Sequence, residues 1–162
     1  MPPTPLRSRI APRSRQHGVA AIEFALVFML LFFVMYASAT FGAVFYTQQA
    51  VSRAAEDGAR AATLLPQPPD PNSVRQAVFD SLSRSLIVPA SANSDTASRK
   101  AWISDNVTVE PCAATAGATS CKVTVSYLYM NNRILPTMLL LDTSRWMPDE
   151  LRSSATAALR TS

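Results

Sequence analysis

Glu23 is a carboxylate set between Ile22 and Phe24, where a long uncharged run begins. A charge immersed in lipid is expensive, about 2.5–3.5 kcal/mol at the centre of a spanning helix, so such groups usually meet a partner. The nearest base in this chain is Arg15, eight residues upstream and beyond Gly18. Two readings of Glu23 stand at this point. It sits solvated at headgroup level, favoured by the positive end of a helix dipole, or it serves a function there. The other residues with chemical potential are Cys112 and Cys121, far beyond the run. Two thiols form a disulfide, stay free or join a metal site, and the compartment decides among these.

The remaining inventory excludes much. The chain has four glycines and one histidine, His17, and shows no nucleophile motif, phosphate-binding glycine loop or pair of histidines. No catalytic residue, metal site or cofactor is expected. Asp142, Asp149 and Glu150 lie near one another, but carboxylates in a loop are ordinarily solvated. The net charge of +4 is matched by four arginines, Arg7, Arg9, Arg13 and Arg15, ahead of the apolar run. No aromatics interleave with them, which argues against a nucleic-acid partner.

These residues must be positioned by a membrane segment. Residues 24–52 contain no charge and as a helix would be about 43 Å long at ~1.5 Å per residue. The hydrocarbon core is about 30 Å thick, so the run spans it and projects beyond. Residues 24–35 are apolar on every side, and a chain of this length has no large core to hold such a helix. Basic residues near a span stay in the cytoplasm, so the N-terminus is expected inside and the residues after about Tyr46 outside. A cleaved secretory signal is the competing reading, with Ala37-Ser38-Ala39 as an A-x-A site. The apolar stretch ahead of it is longer than the usual ~7–15 residues of a signal, and an acid at its start is foreign to one.

Several motifs together carry a resemblance. Gly18, four residues, then Glu23-Phe24 and an apolar helix, all after a short basic leader, look like a type IV prepilin processing site of the Flp/Tad subclass. The run Ala20-Ala21-Ile22-Glu23-Phe24-Ala25-Leu26 and the later stretch 45–62 are similar to TadE-like proteins. The resemblance is close over residues 17–63. It is weak further on, where Val123-Thr124-Val125-Ser126-Tyr127 and residues 155–160 look like the family's last strands. A proline-rich leader and the segment 131–148 depart from the pattern. The resemblance implies cleavage by a membrane prepilin peptidase between Gly18 and Val19, making Glu23 the fifth mature residue. It also implies that Glu23, followed by Phe24, meets the free amine of a neighbouring subunit, which would relieve its desolvation.

The domain plan is then a basic leader (1–18), a transmembrane helix (19–47), a helical extension (48–65) and an extracytoplasmic α+β domain (66–162). In the extension, Arg53–Asp57 and Glu56–Arg60 have i,i+4 spacing for ion pairs. Ala50, Ala54, Gly58 and Ala61 fall near one face, which either admits a close neighbour or marks only a good helix former. Prolines from Pro66 end the helix. A second helix is expected over 73–86, capped by Asn72 or Ser73, with Val74, Ala77, Val78, Leu82 and Leu86 on its apolar side. Residues 89–98 read as loop. Strands are expected at 106–110, 122–129 and near 154–159, with Val123, Val125, Tyr127 and Tyr129 on one face of a short antiparallel sheet. The apolar run 135–141 is far too short to span and reads as core packing or a partner surface. A Cys112–Cys121 disulfide is expected, since an extracytoplasmic compartment is oxidising and the bond would fix the hairpin's register across residues 113–120, where Gly117 could turn.

Two functional readings follow. In the first the chain is a pseudopilin-like component of a Tad/Flp pilus or secretion system, in the bacterial inner membrane with a periplasmic domain. Its partners would be the prepilin peptidase, other pilins or pseudopilins and the inner-membrane assembly platform. It would enter the fibre, initiate it or stay in the membrane, in support of pilus biogenesis, adhesion or surface attachment. In the second it is a membrane-anchored periplasmic enzyme or binding module and the helix is a tether. A tether requires neither Gly18 nor Glu23.

Overall fold

The computed structural model describes residues 16–112, 119–135 and 146–159. The chain divides into two units, Met1–Thr40 and Phe41–Ser162. A single helix, α1 (Gln16–Leu64), supplies the described part of the first and opens the second. In the first unit its large apolar side chains are all exposed, Phe24 at 71% and Leu30 at 67% among them. The long apolar helix expected from the sequence is present.

The second unit is α+β. Its part of α1 buries Thr47, Val51, Ala54, Ala55, Gly58, Ala59 and Ala62, a stripe at helical spacing. Arg53, Glu56, Asp57 and Arg60 are exposed. The expected small-residue face therefore lies slightly to one side of its predicted place, because Ala50 and Ala61 are only half-buried. It admits two neighbours at once. A Cβ added to Gly58 would stand 2.6 Å from Val78 Cγ2 and 3.2 Å from Val123 Cγ1, so only glycine lets a helix and the sheet approach there. The helix stops at Leu64 ahead of Pro66, and the Gln67 side chain donates to the carbonyl of Ala62 at 3.2 Å. The Gln67–Pro68 peptide is cis.

Helix α2 (Pro71–Ser83) begins earlier than the sequence suggests. Its cap is Asp70, not Asn72 or Ser73, with Oδ2 accepting from Ser73 N–H at 2.9 Å and Oδ1 from Asn72 N–H at 3.3 Å. Pro71 fits the first helical position, where no N–H is needed. The helix also ends sooner, so Leu86 leaves the apolar face and is 75% exposed, while Phe79 joins Val74, Val78 and Leu82 inside.

The expected loop 89–98 contains a 3-10 turn (Ala90–Ala92) and the start of helix α3 (Thr96–Asn106). This helix has one fully buried apolar residue, Ile103, and so gave almost no periodic signal. Polar anchors hold it instead. Asp95 caps it through Ser98 N–H at 2.7 Å, and Lys100 pairs with Asp80 of α2. Arg99 donates to the carbonyls of Ser83 and Ser85, occupying the C-terminal end of α2.

Strands β1 (Val107–Glu110), β2 (Ser120–Tyr127) and β3 (Leu151–Ala158) form one antiparallel sheet in the order β1-β2-β3. Asn106, expected in the first strand, closes α3 instead. Val123, Val125 and Tyr127 are fully buried and Tyr129 nearly so, as their alternation predicts. The Tyr127 hydroxyl donates to the carbonyl of Asn132 at 2.9 Å, and burial pushes its pKa well above the ordinary phenol range. On the outer face Arg152 of β3 pairs with Glu110 of β1 at 2.9 Å. That bridge crosses the central strand above Thr124, which is only 7% exposed.

Candidate functional site

The first turns of α1 carry Gly18, Val19, Glu23 and Phe24. Gly18 is exposed, and an added Cβ would meet nothing within 4 Å. Val19 is 66% exposed, and Phe24 stacks on Phe28 with ring centroids 6.1 Å apart. Glu23 is exposed and has no hydrogen-bond or ion-pair partner among the described residues. It follows Val19 by four positions, so the two share one side of the helix. The Gly18–Val19 peptide lies where a helix is weakest, since the first four N–H groups have no partner within the helix and glycine is a poor helix former. The apolar window that follows is long enough to cross a membrane and none of it is buried.

Residues 18–60 match the family model of TadE-like proteins. The chain carries a TadE-like segment. Comparisons with curated proteins and with solved structures find no match. The TadE-like segment starts at Gly18 and ends at Arg60, so it contains Val19, Glu23, Phe24, the apolar run and most of the buried small-residue stripe. It points to a structural or assembly protein of the Tad pilus system, and not to a known enzyme family. The leader arginines lie outside the described residues.

The expected disulfide is present, Cys112 bonded to Cys121. The ladder of β1 and β2 runs from Val107↔Tyr127 to Glu110↔Thr124, and the bond closes the hairpin just beyond its last pair. The connecting residues 113–118, Gly117 included, lie outside the described residues. So do residues 136–145, which contain most of the apolar run 135–141 and Asp142. The flanks of that segment are joined, because Met130 N–H donates to the carbonyl of Asp149 at 3.1 Å. Asp149 and Glu150 are exposed.

The expected ion pair Arg53–Asp57 is not made. Asp57 instead accepts from the Ser81 hydroxyl at 2.6 Å. Glu56–Arg60 is likewise absent from the ion pairs of the described residues. Arg53 therefore faces a cleft of about 270 Å³ between α1 and the end of α2, which it shares with Arg84. Sequence reasoning missed this cleft because its two sides meet only through the α1–α2 packing around Gly58.

Proposed function

We propose that this protein is a pseudopilin-like component of a Tad/Flp pilus assembly or secretion system, anchored by one pass of α1 with the domain of residues 66–162 in the periplasm. The observation that carries the proposal is the TadE-like match over 18–60, which opens on Gly18 and runs across Glu23 and the apolar helix. The unburied apolar window and the intact Cys112–Cys121 bond support it, the first because lipid is the solvent such a surface needs and the second because disulfides persist in oxidising compartments.

In this reading a prepilin peptidase hydrolyses the bond between Gly18 and Val19. Gly18 leaves as the C-terminus of the basic leader, and Val19 gains a free amine. Unwinding one terminal turn exposes the bond, and the lack of a side chain on Gly18 lets its backbone enter a narrow cleft. The shortened helix then begins at Val19, placing Glu23 close to its positive end. In an assembly Glu23 pairs with the Val19 amine of a neighbouring subunit, and each charge loses its desolvation penalty to the other. Other pilins or pseudopilins and the inner-membrane platform are the partners.

Two substitutions test the roles. Gly18→Leu should accumulate the unprocessed chain on immunoblots. Glu23→Ala should leave membrane insertion intact or improved, because an expensive charge is gone, and should reduce pilus output. Wild-type output from Glu23→Ala would reduce Glu23 to a solvated bystander.

A further inference from the structure

The cleft beside α1 has the makings of a binding site. Tyr46, Gln49, Arg53 and Asp57 line it from α1, and Ser81 and Arg84 from the end of α2. Neither the Arg53 nor the Arg84 guanidinium has a partner among the described residues, whereas Asp57 is held by Ser81. Arg99 shows the contrast, since its guanidinium is taken up by the carbonyls of Ser83 and Ser85. The lining thus offers two open cations against one engaged carboxylate. Two exposed apolar residues neighbour the cleft without lining it. The Leu86 N–H donates to the Tyr46 hydroxyl at 2.9 Å, which holds the Leu86 backbone at the cleft's Tyr46 side, and its side chain is 75% exposed. Phe45, next along the helix, is 71% exposed.

We propose that this cleft binds the headgroup of an anionic glycerophospholipid, with Arg53 and Arg84 donating to its phosphate and Leu86 and Phe45 against its acyl chains. The proposal rests on the membrane anchorage given above. About 20 helical residues fill a hydrocarbon core, so a span that begins at Phe24 leaves it near Val44. The headgroup zone adds about 5–8 Å on each side, and Tyr46 falls there, where tyrosine is enriched. Arg53 lies about 14 Å past Val44 along the helix. Helical side chains lean toward the N-terminus, so its long stem carries the guanidinium back toward the headgroups. The planar forks of two arginines suit a phosphate. Exposed apolar surface next to the cleft, at Leu86 and Phe45, favours a lipid over a free phosphate ion.

The test uses the full chain purified from membranes in detergent. It is incubated with phosphatidylglycerol, phosphatidylcholine or inorganic phosphate, and bound lipid is read by native mass spectrometry alongside the melting temperature. Phosphatidylglycerol should be retained over phosphatidylcholine and should raise the melting temperature. R53Q/R84Q should lose retention about tenfold or more, from hydrogen bonds to a charged group, while R53K/R84K keeps part of it. L86S, in an exposed loop, should weaken lipid retention without any loss of fold, which keeps the test valid if R53Q/R84Q misfolds. Equal retention of the two lipids, or retention unchanged in R53Q/R84Q and L86S, would overturn the proposal. So would an equal rise in melting temperature with inorganic phosphate, which would make the cleft a site for free anions. The same spectra report the N-terminus, so a membrane-extracted chain starting at Val19 with no lipid preference would sink this inference alone.

Discussion

The two ends of α1 solve opposite problems with one backbone. Near its start Val19, Phe24, Val27, Leu30 and Leu31 are more than half exposed. Near its end Ala54, Ala55, Ala59 and Ala62 are almost wholly buried. Large side chains left in the open and small ones hidden is the reverse of an ordinary amphipathic helix. Size at the first end leaves a continuous apolar surface, of the kind that lipid rather than water solvates. Smallness at the second end provides proximity, since a helix flanked by α2 and β2 can approach both only if its side chains stop at Cβ or earlier. Burial, rather than hydrophobicity alone, separates the exposed apolar end from the scaffold of the domain.

The sharpest way to break this contrast is to charge the first end. Leu30→Arg should cost about 2.5–3.5 kcal/mol of insertion and leave the chain largely outside the membrane fraction. Full insertion of that variant would show that the apolar end is not lipid-facing. Next in size is the disulfide. Replacing Cys112 and Cys121 with serine should lower stability by about 2–3 kcal/mol, the loop-closure term for a short ring, seen as an earlier thermal transition by circular dichroism. The first end of α1 should be indifferent to this change.

A smaller effect separates two glycines of the same helix. Gly58→Ala gains about 1 kcal/mol of helix propensity but drives a methyl to 2.6 Å from Val78 Cγ2. Val78 is fully buried and cannot swing away, and overpacking costs about 1–3 kcal/mol, so the net change should be destabilising. Gly42→Ala meets nothing within 4 Å and should be neutral or stabilising. Equal melting temperatures for the two would refute the close-packing account.

The smallest effect belongs to the caps. The Ser73 hydroxyl and backbone, with Asn72, hold the Asp70 carboxyl below its ordinary range, and Ser98 does the same for Asp95. A carboxylate favoured in the fold stabilises it above the ordinary value of about 3.9, and that contribution fades as pH falls through the lowered folded values. Asp70→Ala should therefore lower the melting temperature slightly at pH 7, and less as pH falls below the ordinary carboxylate range.

What could be read from the sequence depended on pattern length. The uncharged run, the alternation of Val123, Val125 and Tyr127 and the Pro66 stop each announce themselves over several residues, and the structure has them. Helix α3 does not, because Arg99, Lys100 and Asp95 fix it through polar contacts with α2 and its own first turn. The cap at Asp70 was missed because Asn72 and Ser73 are equally good cap residues by type, and only backbone geometry selects among them. Of the site residues, Gly18, Val19, Glu23 and Phe24 were singled out through the resemblance to TadE-like proteins, and the structure places all four in the first turns of α1. The Arg53–Arg84 cleft was not, since local spacing assigned Arg53 to Asp57 and only tertiary packing gives Asp57 to Ser81.

The central claim, an anchored pseudopilin processed at the head of α1, is tested most directly by the N-terminus of the protein extracted from membranes of a strain with an active prepilin peptidase. Intact-mass and N-terminal sequence analysis should find a chain that begins at Val19. A chain that still begins at Met1, or one that begins at Thr40 after the Ala37-Ser38-Ala39 site, would contradict it.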